Sequence, residues 1–324
     1  MVKLDVKDKK ILSILDMDAR LPLSIIAKKV RLSRDVVNYR IKQLEKKGII
    51  EGYYSVIDVA KLGMFYCRTF FKYKNIRPEV EKEIIYFCNN HKDITWVIIG
   101  EGQYDISIMI IADSLDIIES TYDEINSKFG KYLQEPYISL AFRIYHYKHN
   151  YLYGTNDLTE YVMGNKNILK VDKKDLKLIG VLADNARVSL IGLAKRLKTT
   201  PKLISYRIKK LISNKIILVF RAKINTRLLG YDTYKIFLTL QNFDEQNKSK
   251  LITYLRNHPN VVYITKPMGT HNLEFEIMVK NMGELHDKMK EIKILFADIV
   301  FDYETNLYYD EPLVTYFPSL KKSK

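Results

Sequence analysis

Two stretches of the sequence, 167 positions apart, combine basic, hydroxyl and amide side chains with a regular apolar spacing. Residues 33–48 begin with Ser33 and residues 200–215 begin with Thr200, and a hydroxyl at such a position can cap a helix. Apolar residues recur at i, i+4 and i+7, which predicts one buried and one exposed helix face. Arginine and asparagine on an exposed face can bind base edges, and lysine can bind phosphate. Both stretches are therefore predicted to contact DNA.

The positive charge of the chain is concentrated around these stretches. The 324 residues carry a formal net charge of +15. Residues 4–50 hold 12 Lys and Arg against 6 Asp and Glu, residues 171–217 hold 12 against 3, and the remainder holds 29 of each sign. A charge excess confined to two segments is typical of a surface that neutralises phosphates, and a solvated helix face is the alternative interpretation.

The neighbouring residues predict a winged helix-turn-helix around each stretch. Apolar spacing predicts helices over residues 4–18 and 24–30, ahead of the helix that Ser33 opens. Residues 49–57 favour a short strand pair bent at Gly52, which would form the wing. Three short helices followed by a hairpin are typical of this DNA-binding unit.

A second kind of domain follows, and the whole unit is then repeated. The element order β-α-β-β-α-β over residues 61–150 predicts a ferredoxin-like domain, in which both helices cover one face of a four-stranded antiparallel sheet. Residues 4–50 and 171–217 are identical at 17 of 47 positions without a gap. The predicted fold class is therefore α+β, with two repeats of a winged helix-turn-helix followed by a ferredoxin-like domain.

The repeat predicts six segments and a pairing between two of them. The segments are a winged helix-turn-helix (1–60), a ferredoxin-like domain (61–150), a linker (151–170), a second winged helix-turn-helix (171–226), a second ferredoxin-like domain (227–318) and a basic tail (319–324). Within the linker, a short turn is expected near residues 157–162. Free strand edges need a partner, so the two ferredoxin-like sheets are expected to pair, within one chain as a pseudo-dimer or between chains as a homo-oligomer.

Taken together, these features resemble the Lrp/AsnC family of bacterial and archaeal transcription regulators. The motifs that carry the resemblance are Leu4-Asp5-x-x-Asp8, Asp18-Ala-Arg20, Leu32-Ser33, Arg40-Ile-Lys-x-Leu-Glu45, Gly48-Ile-Ile and Gly102-x-x-Asp105. The resemblance covers nearly all of both repeats. It implies that the third helix of each unit enters the major groove and that the ferredoxin-like domains pair sheet to sheet.

The resemblance also implies which side chains contact double-stranded DNA. Those nearest base edges would be Arg34, Asp35, Asn38 and Lys42 in the first repeat, and Lys202, Ser205 and Lys209 in the second. Phosphate contacts would come from Lys28, Arg40, Lys195 and Arg207, and the predicted interface also includes Ser33, Tyr39, Thr200 and Tyr206. Because the outward positions of the two helices differ, we hypothesise that the chain reads an asymmetric operator.

Members of this family bind an amino acid near a Gly-x-x-Asp turn, which implies a small-molecule effector here. The corresponding residues are Gly100, Gly102, Tyr104, Asp105, Gly269, His271 and Asn272. Asn272 stands where the first repeat has Asp105, so equal ligand binding in both repeats is not expected. A plain turn before a strand explains the glycines equally well.

Two other functions remain alternatives to the regulator. Siroheme decarboxylases share the tandem plan, and residues 271–275 faintly resemble a motif of those enzymes. The other alternative is a non-specific, chromatin-type DNA-binding protein. The expectation is that the chain is not an enzyme, with no catalytic residues, cofactor or metal.

Several residue types exclude other chemistry. Cys67 and Cys88 are too few for a disulfide framework or a Cys-based zinc site, and we interpret them as buried reduced thiols, leaving a single bridge open. His146 and His149 are expected to be a solvated pair and not a metal site. The start of the chain has no apolar signal segment and no apolar run reaches 18 residues, so a cytoplasmic protein without membrane contact is expected.

Overall fold

Three helices open the chain, as predicted, and a single strand follows them. The structure is a computed structural model that describes residues 2–164, 167–241 and 244–318. The first elements are α1 (Val6–Leu15), α2 (Leu23–Val30), α3 (Arg34–Lys46) and β1 (Ile50–Ile57). The predicted hairpin over residues 49–57 is wrong. Gly52 lies beside a register shift within continuous β1, which pairs with a strand of the second repeat.

A β-α-β-β-α-β unit follows, which confirms the predicted ferredoxin-like domain. Its elements are β2 (Phe65–Phe71), α4 (Pro78–Asn90), β3 (Ile94–Gly102), β4 (Ile106–Ala112), α5 (Leu115–Phe129) and β5 (Tyr137–His146). Ser114 caps α5, because its hydroxyl accepts the N–H of Ile117 at 3.4 Å. Both helices pack on one face of the sheet around buried Ile84, Ile108 and Ile125.

The predicted linker contains two short elements. α6 (Asn150–Tyr153) overlaps its start, and β6 (Tyr161–Met163) pairs antiparallel with the end of β5. The turn expected at residues 157–162 is therefore wrong, because its last residues are extended along β5. This segment consequently joins the two repeats as part of the sheet.

The second repeat has the same order of elements. These are α7 (Lys173–Asp184), α8 (Leu190–Arg196), α9 (Pro201–Ser213), β7 (Ile217–Ile224), β8 (Asp232–Leu240), α10 (Glu245–Asn257), β9 (Val261–Met268), β10 (Leu273–Val279), α11 (Met282–Leu295) and β11 (Val300–Val314). The predicted basic tail, residues 319–324, lies outside the described residues.

The two ferredoxin-like sheets close into one barrel within the chain. The strand order is β2-β4-β3-β11-β8-β10-β9-β5, and β5 also pairs with β2, which completes the ring. The repeats meet where β3 pairs with β11 and where β5 pairs with β9, both antiparallel. The expected pairing of the sheets is thus confirmed inside one chain, and closure removes the free strand edges between the repeats.

The two helix-turn-helix units are also joined, through a separate two-stranded ladder. β1 pairs antiparallel with β7, and Tyr54 lies opposite Arg221. Each helical unit packs against the strand of the other repeat, since Ala222 of β7 lies in the core of α1–α3 and Val56 of β1 lies in the core of α7–α9. The two units therefore form a single interlocked body.

The two cysteines agree with the sequence-based expectation. Cys67 and Cys88 are both free and buried. Over the residues that the structure describes, no helix is long and apolar enough to cross a membrane.

Candidate nucleic-acid interface

The predicted recognition helices, α3 and α9, each begin at the predicted hydroxyl cap. Ser33 Oγ accepts the N–H of Val36 at 3.3 Å before α3, and Thr200 Oγ1 accepts the N–H of Leu203 at 3.2 Å before α9. Pro201 occupies the first helical position of α9, where the missing N–H costs no hydrogen bond. Both helix starts are thus defined by local sequence.

The apolar face of each helix is buried and the opposite face is exposed. The buried side chains are Val37, Ile41 and Leu44 in α3, and Ile204, Ile208 and Leu211 in α9. The exposed predicted contacts are Lys28, Ser33, Arg34, Asp35, Tyr39, Lys42, Lys195, Thr200, Lys202, Tyr206 and Lys209, whereas Asn38 and Ser205 are partly exposed. The structure therefore leaves these polar side chains available to a groove.

Arg40 and Arg207 have a different environment from the other predicted contacts. The Arg40 guanidinium lies 2.6 Å from Asp5, which precedes α1, and 2.8 Å from Asp8, which lies within α1. Arg207 repeats the arrangement with Asp172 at 2.7 Å and Asp175 at 2.5 Å. These ion pairs attach each recognition helix to the first helix of its own unit, and contact of either arginine with phosphate stays a prediction.

The carboxylates of these ion pairs also cap helices. The N–H of Asp8 donates to Asp5 and, with Arg40, lowers the pKa of the Asp5 carboxyl. The N–H of Asp175 and the Arg207 guanidinium act in the same way on Asp172. One short motif therefore both starts the helix and holds the arginine.

A pseudo-two-fold relation places the two recognition helices relative to each other. The N–H of Ala19 donates to the carbonyl of Phe220 at 2.8 Å, and the N–H of Ala186 donates to the carbonyl of Tyr53 at 2.9 Å. Arg20 lies over the Phe220 ring and Arg187 over the Tyr53 ring. In each pair one residue belongs to the first repeat and its partner belongs to the second. These contacts therefore fix the position of one helical unit relative to the other.

A buried ion pair at the centre of this body has no counterpart in the other repeat. Asp16, at the end of α1, accepts hydrogen bonds from Arg221 of β7 and from the backbone N–H of His149. Burial opposes ionisation of Asp16, but the Arg221 charge prevails and holds the pKa of the carboxyl well below its usual range. Position 183, equivalent to Asp16, is alanine. Sequence patterns missed this pair, because its members are distant along the chain.

The expectation of a solvated histidine pair is wrong. His146 is fully buried, with Nε2 2.9 Å from the Met163 sulfur, and burial lowers its pKa well below the usual value. His149 Nδ1 lies 2.9 Å from Asp16. Met163 of β6 and Tyr263 of β9 enclose the His146 ring, whereas Asp16 of the first helical unit and Arg221 of β7 lie against the His149 ring. No group of three potential metal-binding His, Cys, Asp or Glu residues occurs in the described part of the chain.

The two candidate effector turns meet at one end of the barrel. Tyr104 and His271 occupy equivalent positions, and both rings contact Tyr137 and Phe237. Gly102 has a φ of 127°, and a Cβ there would lie 2.9 Å from the carbonyl oxygen of Thr305. Gly100 and Gly269 are similarly close to Asn306 and Tyr137, so side-chain crowding explains these glycines.

The polar groups of these turns already have partners within the chain. Asp105 binds Lys72 at 2.8 Å and accepts the N–H of Tyr73 at 2.7 Å. Asn272 accepts the N–H of Leu240 at 2.7 Å. Each side chain thus stabilises its own turn, and a ligand that used either would compete with these bonds.

The barrel interior contains buried charges that the sequence analysis missed. Arg68 and Lys235, at equivalent positions of β2 and β8, both bind Glu274 of β10, Lys235 at 3.0 Å. Arg68 also donates to Ser139 at 2.6 Å. The two cations hold the pKa of the Glu274 carboxyl below its usual value although burial opposes this. The available signal was a charged residue in the interior of β2 and of β8, Arg68 and Lys235, and two glutamates in β10.

The fold and the exposed basic helices define a winged helix-turn-helix protein. A family model described as winged helix-turn-helix DNA-binding matches residues 4–51 and 171–217. The HTH-type transcriptional regulator LrpA of Pyrococcus horikoshii is 37% identical over 129 residues, which cover 40% of this chain and 87% of that protein. The regulatory protein AsnC of Haemophilus influenzae is 26% identical over 144 residues, which cover 44% of this chain and 95% of that protein.

On this evidence the chain belongs to the Lrp/AsnC family of HTH-type transcriptional regulators. The crystal structure of the siroheme decarboxylase NirDL matches 98% of this chain and 95% of its own, with a TM-score of 0.63 and 13% sequence identity. That similarity shows a shared tandem fold.

Proposed function

We propose that the chain is a sequence-specific, double-stranded DNA-binding transcription regulator that reads an asymmetric site with two unlike recognition helices. The observation that carries the proposal is the single interlocked body, which presents two capped, exposed helices in a fixed relation. The charge excess of the chain lies in the same two units. Counter-ion release from DNA would therefore be driven by the surfaces that carry the helices.

The chemistry of the two exposed faces supports unlike half-sites. α3 presents Arg34 and Asn38, which suit guanine and adenine edges respectively, whereas α9 has Pro201 and Ser205 at these positions. Lys42 and Lys209 are equivalent and would add affinity to both halves without distinguishing them.

Binding to duplex DNA across a salt series, followed by selection of tight sites from a random pool, tests the proposal. We expect a steep loss of affinity with salt and an enriched two-part site with halves about one helical turn apart. Affinity for that site should exceed that for bulk DNA by about 10³ or more. Equal affinity for all sequences would instead identify a non-specific, chromatin-type protein.

We also propose that an amino-acid-like effector acts at the barrel end formed by the Gly102 and Gly269 turns. The support is that Tyr104 and His271 meet there around shared aromatic rings. A ligand ammonium group would compete with Lys72 for Asp105. Thermal unfolding with the common amino acids tests this, and Asp105→Asn should abolish any stabilisation that one of them produces. Absence of stabilisation by every amino acid would reject the site.

A tetrapyrrole decarboxylase is the second candidate function, and the fold shared with NirDL over nearly the whole chain favours it. The cavity inside the barrel, about 60 Å³, is much smaller than such a macrocycle. A spectroscopic titration with siroheme decides the matter. No shift of the absorption bands would remove the enzyme, whereas saturable binding together with absence of DNA binding would favour it.

Further assembly of chains through the barrels also stays a prediction. Light scattering of the purified chain would test it. A mass of one chain would reject a homo-oligomer while leaving the pseudo-dimer within the chain intact.

A further inference from the structure

A cavity of about 170 Å³ lies between the barrel mouth and the β1–β7 ladder. Its walls come from β1 and β7 on one side and from β8, β10 and β11 on the other. A smaller cavity of about 60 Å³ extends into the barrel, and Tyr263, Glu276 and Glu311 line both. An engineered cavity of about 150 Å³ in another protein holds benzene, so the outer space is sufficient for a small organic molecule.

Carboxylates outnumber cations around the outer cavity. Of the described residues that line it, five are Asp or Glu and two are Lys or Arg. Lys223 is shared between Glu51 at 3.3 Å and Glu311 at 3.6 Å. Arg227 donates to the carbonyl of Tyr309 and stacks on its ring. The protein's own cations therefore leave this surface with excess negative charge.

The inner wall holds two cations, Arg68 and Lys235, and two carboxylates, Glu276 and Glu311. Lys235 lies 3.0 Å from Glu274 and 3.3 Å from Glu276, so one ammonium group serves two carboxylates. Glu274 also holds Arg68, but Glu276 depends on Lys235 for its ion pair. A further cation beside Glu276 and Glu311 would lower the electrostatic free energy of the site.

One residue that lines this cavity carries a buried hydroxyl without a partner. The side chain of Tyr308 is 8% exposed and lines the cavity, and its hydroxyl forms no hydrogen bond among the described residues. Burying an unpaired hydroxyl is unfavourable, and a hydrogen bond to a ligand would offset that cost. This observation is independent of the carboxylates.

The remaining walls suit an organic cation. Trp96, Tyr263 and Tyr316 line the inner cavity, and Tyr54 lines the outer one. Aromatic faces attract ammonium groups and also cover an apolar body. The combination of carboxylates and aromatic rings distinguishes the cavity from a site for anions.

The other repeat shows that the fold does not require these carboxylates. The positions equivalent to Glu276, Glu311 and Tyr308 are Met109, Ile144 and Ala141, and all three are buried in an apolar core. The same strands thus close the barrel with apolar side chains on one side. Glu276 and Glu311 on the other side of the barrel therefore have no acidic counterparts in the first repeat.

We propose that the cavity lined by Glu276, Glu311 and Tyr308 binds a small organic cation, an ammonium group on an apolar body about the size of a benzene ring. The ammonium group lies between the two carboxylates, and the body lies against Tyr54 and Tyr263. The Tyr308 hydroxyl bonds to the ligand. This inference does not depend on DNA binding, and it is tested on the full chain without DNA.

Benzylammonium, benzyl alcohol and benzoate are the probes, because they share a body and differ in charge. Trp96 is the single tryptophan of the chain and its Nε1 donates to Glu311 at 2.8 Å, so its fluorescence reports on the site. We expect benzylammonium to bind at least 10-fold more tightly than benzyl alcohol, and benzoate not to bind. Equal affinity for the amine and the alcohol, or no saturable change with the amine, would overturn the proposal.

Two isosteric variants locate the site, with calorimetry as the measurement because Glu311→Gln alters the environment of Trp96. Glu276→Gln and Glu311→Gln should each weaken benzylammonium at least 10-fold. The control is Glu304→Gln, which removes a carboxylate from the opposite end of the same strand and should leave the affinity unchanged. Undiminished binding by both cavity variants would show that the amine binds elsewhere and reject this site.

Discussion

The two repeats keep the same local anchors and differ on the exposed faces of α3 and α9 and in the barrel interior. Arg40 and Arg207 form matching ion pairs, and the exchanged backbone bonds of Ala19 and Ala186 agree within 0.1 Å, at 2.8 and 2.9 Å. Outward positions of α3 and α9 differ, as do the inward positions occupied by Met109 and Glu276. The comparison indicates that the contacts holding the body together are shared by both repeats, whereas the exposed and inward-facing side chains are particular to each.

The largest expected effect is a loss of stability when the buried ion pair between Asp16 and Arg221 is broken, a pair that has no counterpart in the other repeat. Asp16→Ala leaves the Arg221 guanidinium buried without its counter-ion, so the free energy of unfolding should fall by about 3–5 kcal/mol. Urea denaturation measures the change. Asp35→Ala, which removes an exposed carboxylate, should change it by less than about 0.5 kcal/mol. A loss for Asp16→Ala equal to that of the control would show that the two units are held together by other contacts.

A smaller effect should distinguish the two recognition helices. Arg34→Ala should reduce discrimination at one half of the selected DNA site by about 1–3 kcal/mol and leave the other half unchanged, because the side chain reads one half only. Competition binding with duplexes altered in one half measures this. Lys202→Ala is the matched variant and should affect the opposite half. Equal loss in both halves with either variant would contradict the assignment of one helix to each half.

Substitution of the matching arginines should produce matching effects. Arg40→Ala and Arg207→Ala each remove a partly exposed pair of ion contacts, and each should lower the free energy of unfolding by about 1 kcal/mol. Denaturant unfolding of both variants checks the similarity. A large effect of one substitution and none of the other would show that the anchors of the repeats are not equivalent.

A pH-dependent effect concerns a carboxylate that replaces an apolar side chain. Burial raises the pKa of Glu311 to about 7, so its protonated form stabilises the fold below the unfolded pKa near 4.5, and this contribution is lost as pH rises through 7. The charged and titratable groups around it are Glu51, Tyr54, Arg68, Lys223, Lys235, Tyr263, Glu276, Tyr308, Asp310 and Tyr316, and the Trp96 indole donates a hydrogen bond to it.

Thermal unfolding of the wild type and of Glu311→Gln between pH 5 and pH 8 measures this contribution. The wild type should lose stability relative to the variant as pH increases, because the glutamine cannot ionise. A constant difference across that range would mean that Glu311 does not change protonation there.

Local patterns in the sequence predicted most helices and strands of the fold. Ser33 and Thr200 capped the expected helices, and alternation of apolar residues placed the strands of both ferredoxin-like domains. The hairpin at residues 49–57 was wrong because strand pairing depends on a distant partner, here β7, which local sequence does not specify. Closure of the barrel depends on distant pairing in the same way.

The buried charges could not be predicted for a related reason. In β10, Glu274 and Glu276 alternate with apolar residues, a pattern that indicates one face in solvent. Barrel closure places that face inside the barrel, where Arg68 and Lys235 form ion pairs with Glu274. Arg68 and Lys235 are 167 positions apart and are therefore equivalent residues of the two repeats. Placing them inside the barrel required the additional knowledge that the two repeats pair with each other.

The most direct test of the account is to make the two recognition helices alike. The variant Pro201→Arg, Lys202→Asp, Ser205→Asn gives α9 the residues of α3 at the three differing positions that are predicted to lie nearest base edges. Sites are then selected from random DNA with the wild type and with the variant. The account predicts two unlike half-sites for the wild type and a palindrome for the variant. A palindrome selected by the wild type would contradict it.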